Sequence, residues 1–388
     1  VVLLIVVVGV AIVFMSRGKS GESKGEATAA SGSAKGGAFL EKVKEKSKGE
    51  KSKAIANKVA TAYSPVHQLH LSQIFCGRRA AITDIIGKYQ KENYILLGIH
   101  GESGMGKTVL ATQLSNKLLP RFPDAQFYID LKTHSKNPVS VADAMAQVIW
   151  SYRPMAKLPT HPDELAALYF SVLRDQRAIL MLDNADATKA KSLIPPKNCM
   201  LLTISHQPLA IPKLYNRKID IFPSEEAREL LKEVSPRAEF WVNEISKLCD
   251  YLPLAIVIVG RFLNKTNQLD PTVFLEKLRG LRDVGLKPGE NGIEHVGLSM
   301  VLAIVTKFLS EQTAIVWRKL LVFPGTFSAK AVEAVCDDLN SNHLTHLESF
   351  NLVSHNYDSD RYFLHEMVRE YLVTVVNKLE QGTSYPKH

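Results

Sequence analysis

Residues 94 to 100, YILLGIH, make an apolar run of strand length, followed without a gap by GESGMGKT from Gly101 to Thr108 and then by the helix-like VLATQLSNKLL. A buried strand, a glycine-rich turn and a helix in that order constrain this chain more than any other feature, because that succession builds a phosphate-binding loop. Gly101, Gly104 and Gly106 let the backbone wrap with its N–H groups turned inward, with Glu102, Ser103 and Met105 filling the loop between them. Lys107 is placed to reach β- and γ-phosphates, Thr108 to set its hydroxyl on Mg²⁺, and Val109 to open the helix.

Such a site needs a second Mg²⁺ partner on a neighbouring strand, which reads as an apolar run ending in Asp. AILMLD, residues 178 to 183, supplies it, and Asp183 falls where the strand leaves the sheet, the edge at which open α/β folds bind ligands. Asp at a strand end is also a common helix cap, but the upstream phosphate loop favours the metal role. The following residue is Asn184 rather than an acid, so the nearest carboxylate for an attacking water is Asp186, and slow ATP hydrolysis is expected. NCMLLTIS (198 to 205) reads as a further buried strand and RKIDIF (217 to 222) as the last of the sheet, with residues 224 to 264 helical.

Composition excludes collagens, disulfide scaffolds and wholly disordered chains, since 46% of residues are apolar and 22% charged. The net charge of +9 is unevenly spread: residues 16 to 60 hold 11 Lys/Arg against 5 Glu, leaving +3 for everything else. A nearly neutral folded part argues against nucleic acid as a partner. Cys76, Cys199, Cys249 and Cys336 are too scattered for a zinc site and favour a reducing, cytosol-facing compartment.

The first fifteen residues, VVLLIVVVGVAIVFM, carry no polar side chain and read as a membrane segment or part of one, since a full span of about 30 Å needs roughly 20 residues. Arg17, Lys19 and Lys24 follow at once, which predicts a single-pass arrangement with the rest of the chain in the cytoplasm. A cleaved signal peptide is the alternative, but the cleavage-like Ala27-Thr28-Ala29 lies beyond those charges. From Ser16 to about Ala60 the chain is Ser, Gly, Ala, Lys and Glu with one aromatic, Phe39, the composition of a disordered basic linker; residues 41 to 58 are alternatively a basic helix on anionic lipid.

The order of pieces resembles the NB-ARC module of the STAND class of P-loop signalling NTPases, found in apoptosome scaffolds, plant disease-resistance receptors and bacterial regulators. The likeness runs from Phe75 to Tyr371 and rests on FCGRRAAI (75 to 82), GESGMGKT, AILMLDNAD (178 to 186), LLTISHQPL (201 to 209), FPSEEARELL (222 to 231), LCDYLPLAI (248 to 256), LLVFPGTFS (320 to 328) and RYFLHEMVREYL (361 to 372). The resemblance implies ATP/ADP with Mg²⁺ as cofactors, Gly77, Arg78 and Pro253 framing the adenine, and His365 on the β-phosphate of ADP, locking a closed state. It also implies self-association when active and a protein trigger. Taken alone, Pro253 reads as a helix start and His365 as a core histidine.

Three departures stand out. His206 follows Ser205 where the family commonly has Arg to read the γ-phosphate; Tyr251 replaces the glycine before LPLA; and Glu366 replaces the Asp after the histidine. No tandem repeats of roughly 30 to 45 residues follow Tyr371 in this sequence.

The expected organisation is an α/β P-loop domain with a five-stranded parallel sheet over 61–222, a helical domain over 223–295, a winged helix over 296–376 and a tail over 377–388, preceded by the membrane segment 1–15 and linker 16–60. The expected function is a membrane-tethered switch, closed with ADP and oligomerising with ATP. The alternatives are a transcription regulator using its winged helix on DNA, disfavoured by the acidic SAKAVEAVCDDL (328 to 339), a constitutive AAA-type motor, and a degenerate non-hydrolysing scaffold.

Overall fold

The computed structural model describes residues 66–68, 75–92, 95–132, 138–266, 269–285, 287–289, 293–338, 341–356 and 360–380. The expected membrane segment 1–15 and linker 16–60 lie outside the described residues, among which no helix is long and apolar enough to cross a membrane. The chain divides into two units, Val1–Ala62 and Tyr63–His388, and every described residue belongs to the second.

Strands β1 (Val66–His67), β2 (Leu96–His100), β3 (Ala125–Asp130), β4 (Ala178–Asp183), β5 (Met200–Ser205) and β6 (Tyr215–Lys218) form one sheet in the order β1-β3-β4-β5-β2-β6. Every neighbouring pair in it is parallel. The sequence predicts five strands; the sixth, β1, is a two-residue edge strand too short to leave a periodic signature.

The last strand is also displaced from the expected 217–222, and the reason is a long-range contact. Ile219 still donates its N–H to the His100 carbonyl at 2.7 Å, but the next carbonyl, of Asp220, accepts from the Arg78 guanidinium at 2.7 Å. Two residues on, the Phe222 ring lies under that guanidinium, 4.4 Å from centroid to Cζ. The chain thus leaves the sheet to hold Arg78.

Helices α1 (Arg79–Glu92), α2 (Lys107–Leu118), α3 (Val141–Tyr152), α4 (Pro162–Leu173) and α5 (Ala187–Ser192) flank the sheet. Sheet coverage on both faces follows from β4, where all six residues are buried. Ile179 and Met181 join the core containing α1 and α2, whereas Ala178, Leu180 and Leu182 join that containing α3 and α4. That is the two-residue alternation of a strand, read out on two apolar faces.

The segment after the sheet is helical, with α6 (Ser224–Val234), a 3₁₀ turn at Pro236–Trp241, α7 (Val242–Leu248), α8 (Pro253–Lys265) and α9 (Pro271–Asp283). Then come α10 (Val296–Phe308), α11 (Glu311–Lys319), α12 (Ala329–Cys336) and α13 (Asn342–Ser349). An antiparallel hairpin of β7 (Ser354–Asn356) and β8 (Arg361–Phe363) leads into α14 (Glu366–Glu380), with Phe327 bridging to Tyr362. Helix α14 continues four residues into the expected tail.

One apolar core runs from Ala81 in α1 to Val375 in α14, so the sheet, the middle helices and the C-terminal helices share a continuous interior. Trp317, Tyr371, Phe262, Phe274 and Phe327 are its largest fully buried members, and burying such rings contributes about 2 to 3 kcal/mol each.

Candidate phosphate-binding site

The sheet delivers the loop as the sequence predicts. β2 ends at His100, Gly101 donates its N–H to the Ser205 carbonyl at 3.3 Å, and Gly106 caps α2 with φ +78, a left-handed conformation natural to glycine. Lys107 folds back so that its Nζ donates to the Glu102 carbonyl at 2.6 Å. Burial pulls its pKa down, while the carboxylates of Asp183, Glu366 and Glu102 pull it back up. Val109 is exposed on the first turn of α2.

Thr108 and Asp183 meet. The Thr108 hydroxyl donates to Asp183 Oδ2 at 2.8 Å, and the Tyr128 hydroxyl donates to the same oxygen at 3.1 Å. Asn184 donates its backbone N–H to the other carboxylate oxygen at 2.8 Å. Burial nevertheless holds the Asp183 carboxyl above its ordinary pKa, and the neighbouring Asp130 adds to the rise. The donor set, a buried carboxylate and a hydroxyl on adjoining elements, is the hard oxygen chemistry that Mg²⁺ accepts, so these residues fit that ion.

Asp130 is the functional candidate that sequence reasoning missed. It ends β3 in register with Asp183, and its Oδ1 accepts from Asn184 Nδ2 at 2.9 Å and from the Lys132 N–H at 3.0 Å. The signal was present: AQFYID is, like AILMLD, an apolar run ending in Asp. Asp186, by contrast, caps α5, its Oδ1 accepting from the Lys189 N–H at 2.9 Å.

The opening motif braces the loop from behind. Arg78, buried and with φ 60, donates through Nη2 to the Met105 carbonyl at 2.8 Å as well as to Asp220. Its burial lowers the guanidinium to about 10. Gly77 is buried against the Glu226 side chain. Beside it burial and Glu229 push the Cys76 thiol up to about 11.

Three later segments converge on the same loop. Pro253 is buried as the first residue of α8, and the next residue, Leu254, donates its N–H to the Gly104 carbonyl at 3.4 Å. Tyr251, two residues before that proline, sits at φ 54, so a tyrosine occupies a left-handed conformation in which glycine would be at ease. His295, which precedes α10, pairs through Nε2 with Glu102 Oε2 at 3.1 Å.

From α14, Met367 packs so closely that a Cβ built on Gly104 would lie 2.8 Å from its sulfur. His365 is partly buried; burial drops its pKa to about 4, with Lys107 lowering and Glu366 raising it, so the ring is neutral near pH 7. Glu366 Oε2 accepts from the Ser103 hydroxyl at 3.1 Å and lies 3.5 Å from His206 Nε2. These contacts hold its carboxyl down to about 2, the His206 hydrogen bond first among them.

No protein-family model matches the chain. It is 27% identical over 218 residues to the "Regulatory protein AfsR" of Streptomyces griseus, covering 53% of this chain and 22% of that protein. A "Probable disease resistance protein" of Arabidopsis thaliana is 26% identical over 190 residues, 44% of this chain and 50% of that one. Among solved structures, a Signal Transduction ATPase with Numerous Domains (STAND) protein with a tetratricopeptide repeat sensor from Pyrococcus horikoshii matches with a TM-score of 0.52 and 16% identity, over 81% of this chain and 47% of that one. The chain therefore spans about a fifth of the length of the first of these proteins and about half of the other two. The chain resembles STAND-type P-loop regulators, as its motifs imply: the sequence likeness is to regulatory and disease-resistance proteins, and the structural likeness, at its low identity, speaks for the fold.

Proposed function

We propose that this chain is an adenine-nucleotide-dependent signalling switch, closed with ADP and self-associating with ATP, that hydrolyses ATP slowly. The observation that carries the reading is the convergence of α8, α10 and α14 on the phosphate loop, through Leu254, His295, Glu366 and Met367. A loop gripped this way makes the state of its phosphates a matter of contact between the sheet and the C-terminal helices.

In this reading Lys107 and the loop N–H groups bind the phosphates, and Thr108 and Asp183 hold Mg²⁺, which neutralises phosphate charge when bound. Gly77, Arg78 and Pro253 frame the base, and a neutral His365 faces the diphosphate. The helices α11 to α13 with the β7-β8 hairpin support a winged-helix reading of 296–376, after a nucleotide-binding domain over 61–222 and a helical domain over 223–295. The apolar run 1–15 supports membrane tethering, single-pass, with the nucleotide site in the cytoplasm. A DNA-binding role finds less support, because α13, which precedes the hairpin, carries no Lys or Arg.

The test is to denature the purified chain and identify co-released nucleotide by chromatography, with Lys107→Ala and Asp183→Ala as controls. Stoichiometric ADP, lost in both variants, is the expected result. A wild-type chain that neither carries nor takes up ADP or ATP would overturn the switch and leave an interaction scaffold.

A further inference from the structure

Asn184 stands directly after the strand-ending Asp183, and the backbone around it is pinned on both sides. Before it, the Asp183 carbonyl accepts from the Leu131 N–H at 3.0 Å, which ties the chain to the end of β3; after it, Ala185 donates its N–H to the Ile204 carbonyl of β5 at 2.9 Å. Asn184 makes the crossing between those two strands with φ 50, a left-handed conformation that asparagine tolerates better than most residues.

The kink turns the Asn184 amide toward β3. Its Nδ2 donates to Asp130 Oδ1 at 2.9 Å, and the Lys132 N–H reaches the same oxygen at 3.0 Å, so the main chain orients the carboxylate that in turn orients the amide. Asp130 is in register with Asp183, which places this pair beside the Thr108-Asp183 contact at the ligand-binding edge of the sheet. A carboxylate only accepts hydrogen bonds, so Asn184 must present its NH2 group to Asp130, and its carbonyl oxygen is the end turned away from that strand. The other acid near the strand end, Asp186, is occupied at the start of α5 by the Lys189 N–H.

We propose that Asn184, through its amide oxygen, holds the water that attacks the terminal phosphate of ATP, and that Asp130 is the positioning residue that fixes the amide for this task. The inference rests on the reading of the chain as a slowly hydrolysing switch and names the residues behind that rate. In the step they serve, the water oxygen bonds to the γ-phosphorus and the bond from that phosphorus to the β-γ bridging oxygen breaks. The electron pair of the broken bond stays on ADP, and the proton of the water leaves with the released phosphate. An amide oxygen accepts a hydrogen bond from the water and aims it, but it is a far weaker base than a carboxylate, so the site orients its nucleophile without activating it. Slow turnover follows from that division.

The experiment measures kcat, KM and the affinity for a non-hydrolysable Mg-ATP analogue in the full chain, for wild type, Asn184→Gly, Asp130→Ala, Asp130→Asn and the double variant Asp130→Ala with Asn184→Gly. Glycine removes the amide but keeps the left-handed backbone at ease. Asn184→Gly and Asp130→Ala should each lower kcat by about tenfold or more, with KM and analogue affinity within about twofold of wild type. The double variant should be no slower than the slower single one, because the two residues act as a unit. Asp130→Asn keeps an acceptor oxygen for the Asn184 NH2 group and should stay within about threefold of wild type, a rescue that a merely structural role for the charge would not give. Wild-type kcat in both single variants, losses that multiply in the double one, or analogue affinity falling in step with kcat would overturn the assignment and leave the nucleotide site standing. So would a larger loss in Asp186→Asn, whose amide preserves the helix cap. A wild-type chain that binds ATP without turning it over would overturn this inference alone, and one that binds neither nucleotide would overturn it together with the switch reading.

Discussion

The two polar clusters at the edge of the sheet are built on opposite principles. The Thr108-Asp183-Tyr128 cluster lies within the sheet and helix α2; Asp183 is 6% exposed, and both of its oxygens are satisfied by hydrogen bonds. The Ser103-Glu366-His206 cluster joins residues 263 positions apart, and its imidazole and carboxylate are 32% and 45% exposed. A buried, saturated carboxylate is costly to disturb and suits fixed chemistry. A half-solvated one can be exchanged for another anion at small cost, which is what a reversible contact requires. Of the two, the buried cluster is the harder to disturb and the half-solvated one the easier to exchange.

The largest expected effect falls on the fixed side. Lys107→Ala should weaken binding of either nucleotide by about a hundredfold, equivalent to about 3 kcal/mol, with the circular dichroism spectrum retained. A variant that binds both as tightly as wild type would show that the loop is not the phosphate site.

Gly104→Ala sharpens the comparison at the boundary between the clusters. The residue has φ +75 and its new Cβ would crowd Met367, so denaturant unfolding should show a loss of about 2 kcal/mol. Adding Met367→Ala should cost less than the sum of the two single changes, since one clash is then removed. Strict additivity would break the claim that α14 presses on the loop.

Smaller again is a pH effect from His365, whose pKa drops to about 4 in the fold against about 6.5 in an unfolded chain. Between those values the unfolded chain holds a proton that the folded chain lacks, so stability is full above pH 6.5 and is lost as pH falls toward 4. Comparing unfolding midpoints at pH 7 and pH 5, wild type should lose about 1 to 2 kcal/mol more than His365→Gln. Equal losses would mean the ring is solvated.

The smallest effect is expected far from both clusters. Arg279 pairs with Glu244 through two hydrogen bonds, of 2.5 and 2.7 Å, yet both side chains are well exposed. Arg279→Ala should leave the unfolding midpoint and nucleotide affinity essentially unchanged, since an ion pair this exposed is screened by solvent. A change in affinity would show that the middle helices transmit more than the contacts at the loop.

Much of this architecture was legible before any coordinates. AILMLD coincides residue for residue with β4, because a strand buried on both faces has no polar positions to blur its ends. The loop was legible because its glycines, lysine and threonine are tied to adjacent backbone positions. The last strand was less so: RKIDIF keeps the alternation of a strand, but Arg78 draws its middle carbonyl away, and no local pattern records a partner 142 positions distant. Asp186 is ambiguous in sequence for a similar reason, since an acid near a strand end looks the same whether it faces a ligand or, as its bond to Lys189 shows, caps the next helix.

Sequence by itself determined the elements whose causes are local: the buried strands, the glycine loop, the strand-ending Asp183 and the order of motifs that marks a STAND-like chain. Tertiary structure alone decided that Asp130 stands beside Asp183, and that His206 and Glu366 meet at Ser103. Register between strands and the docking of a distant helix are set by how whole apolar faces pack together. The chemistry of any one residue does not carry that information.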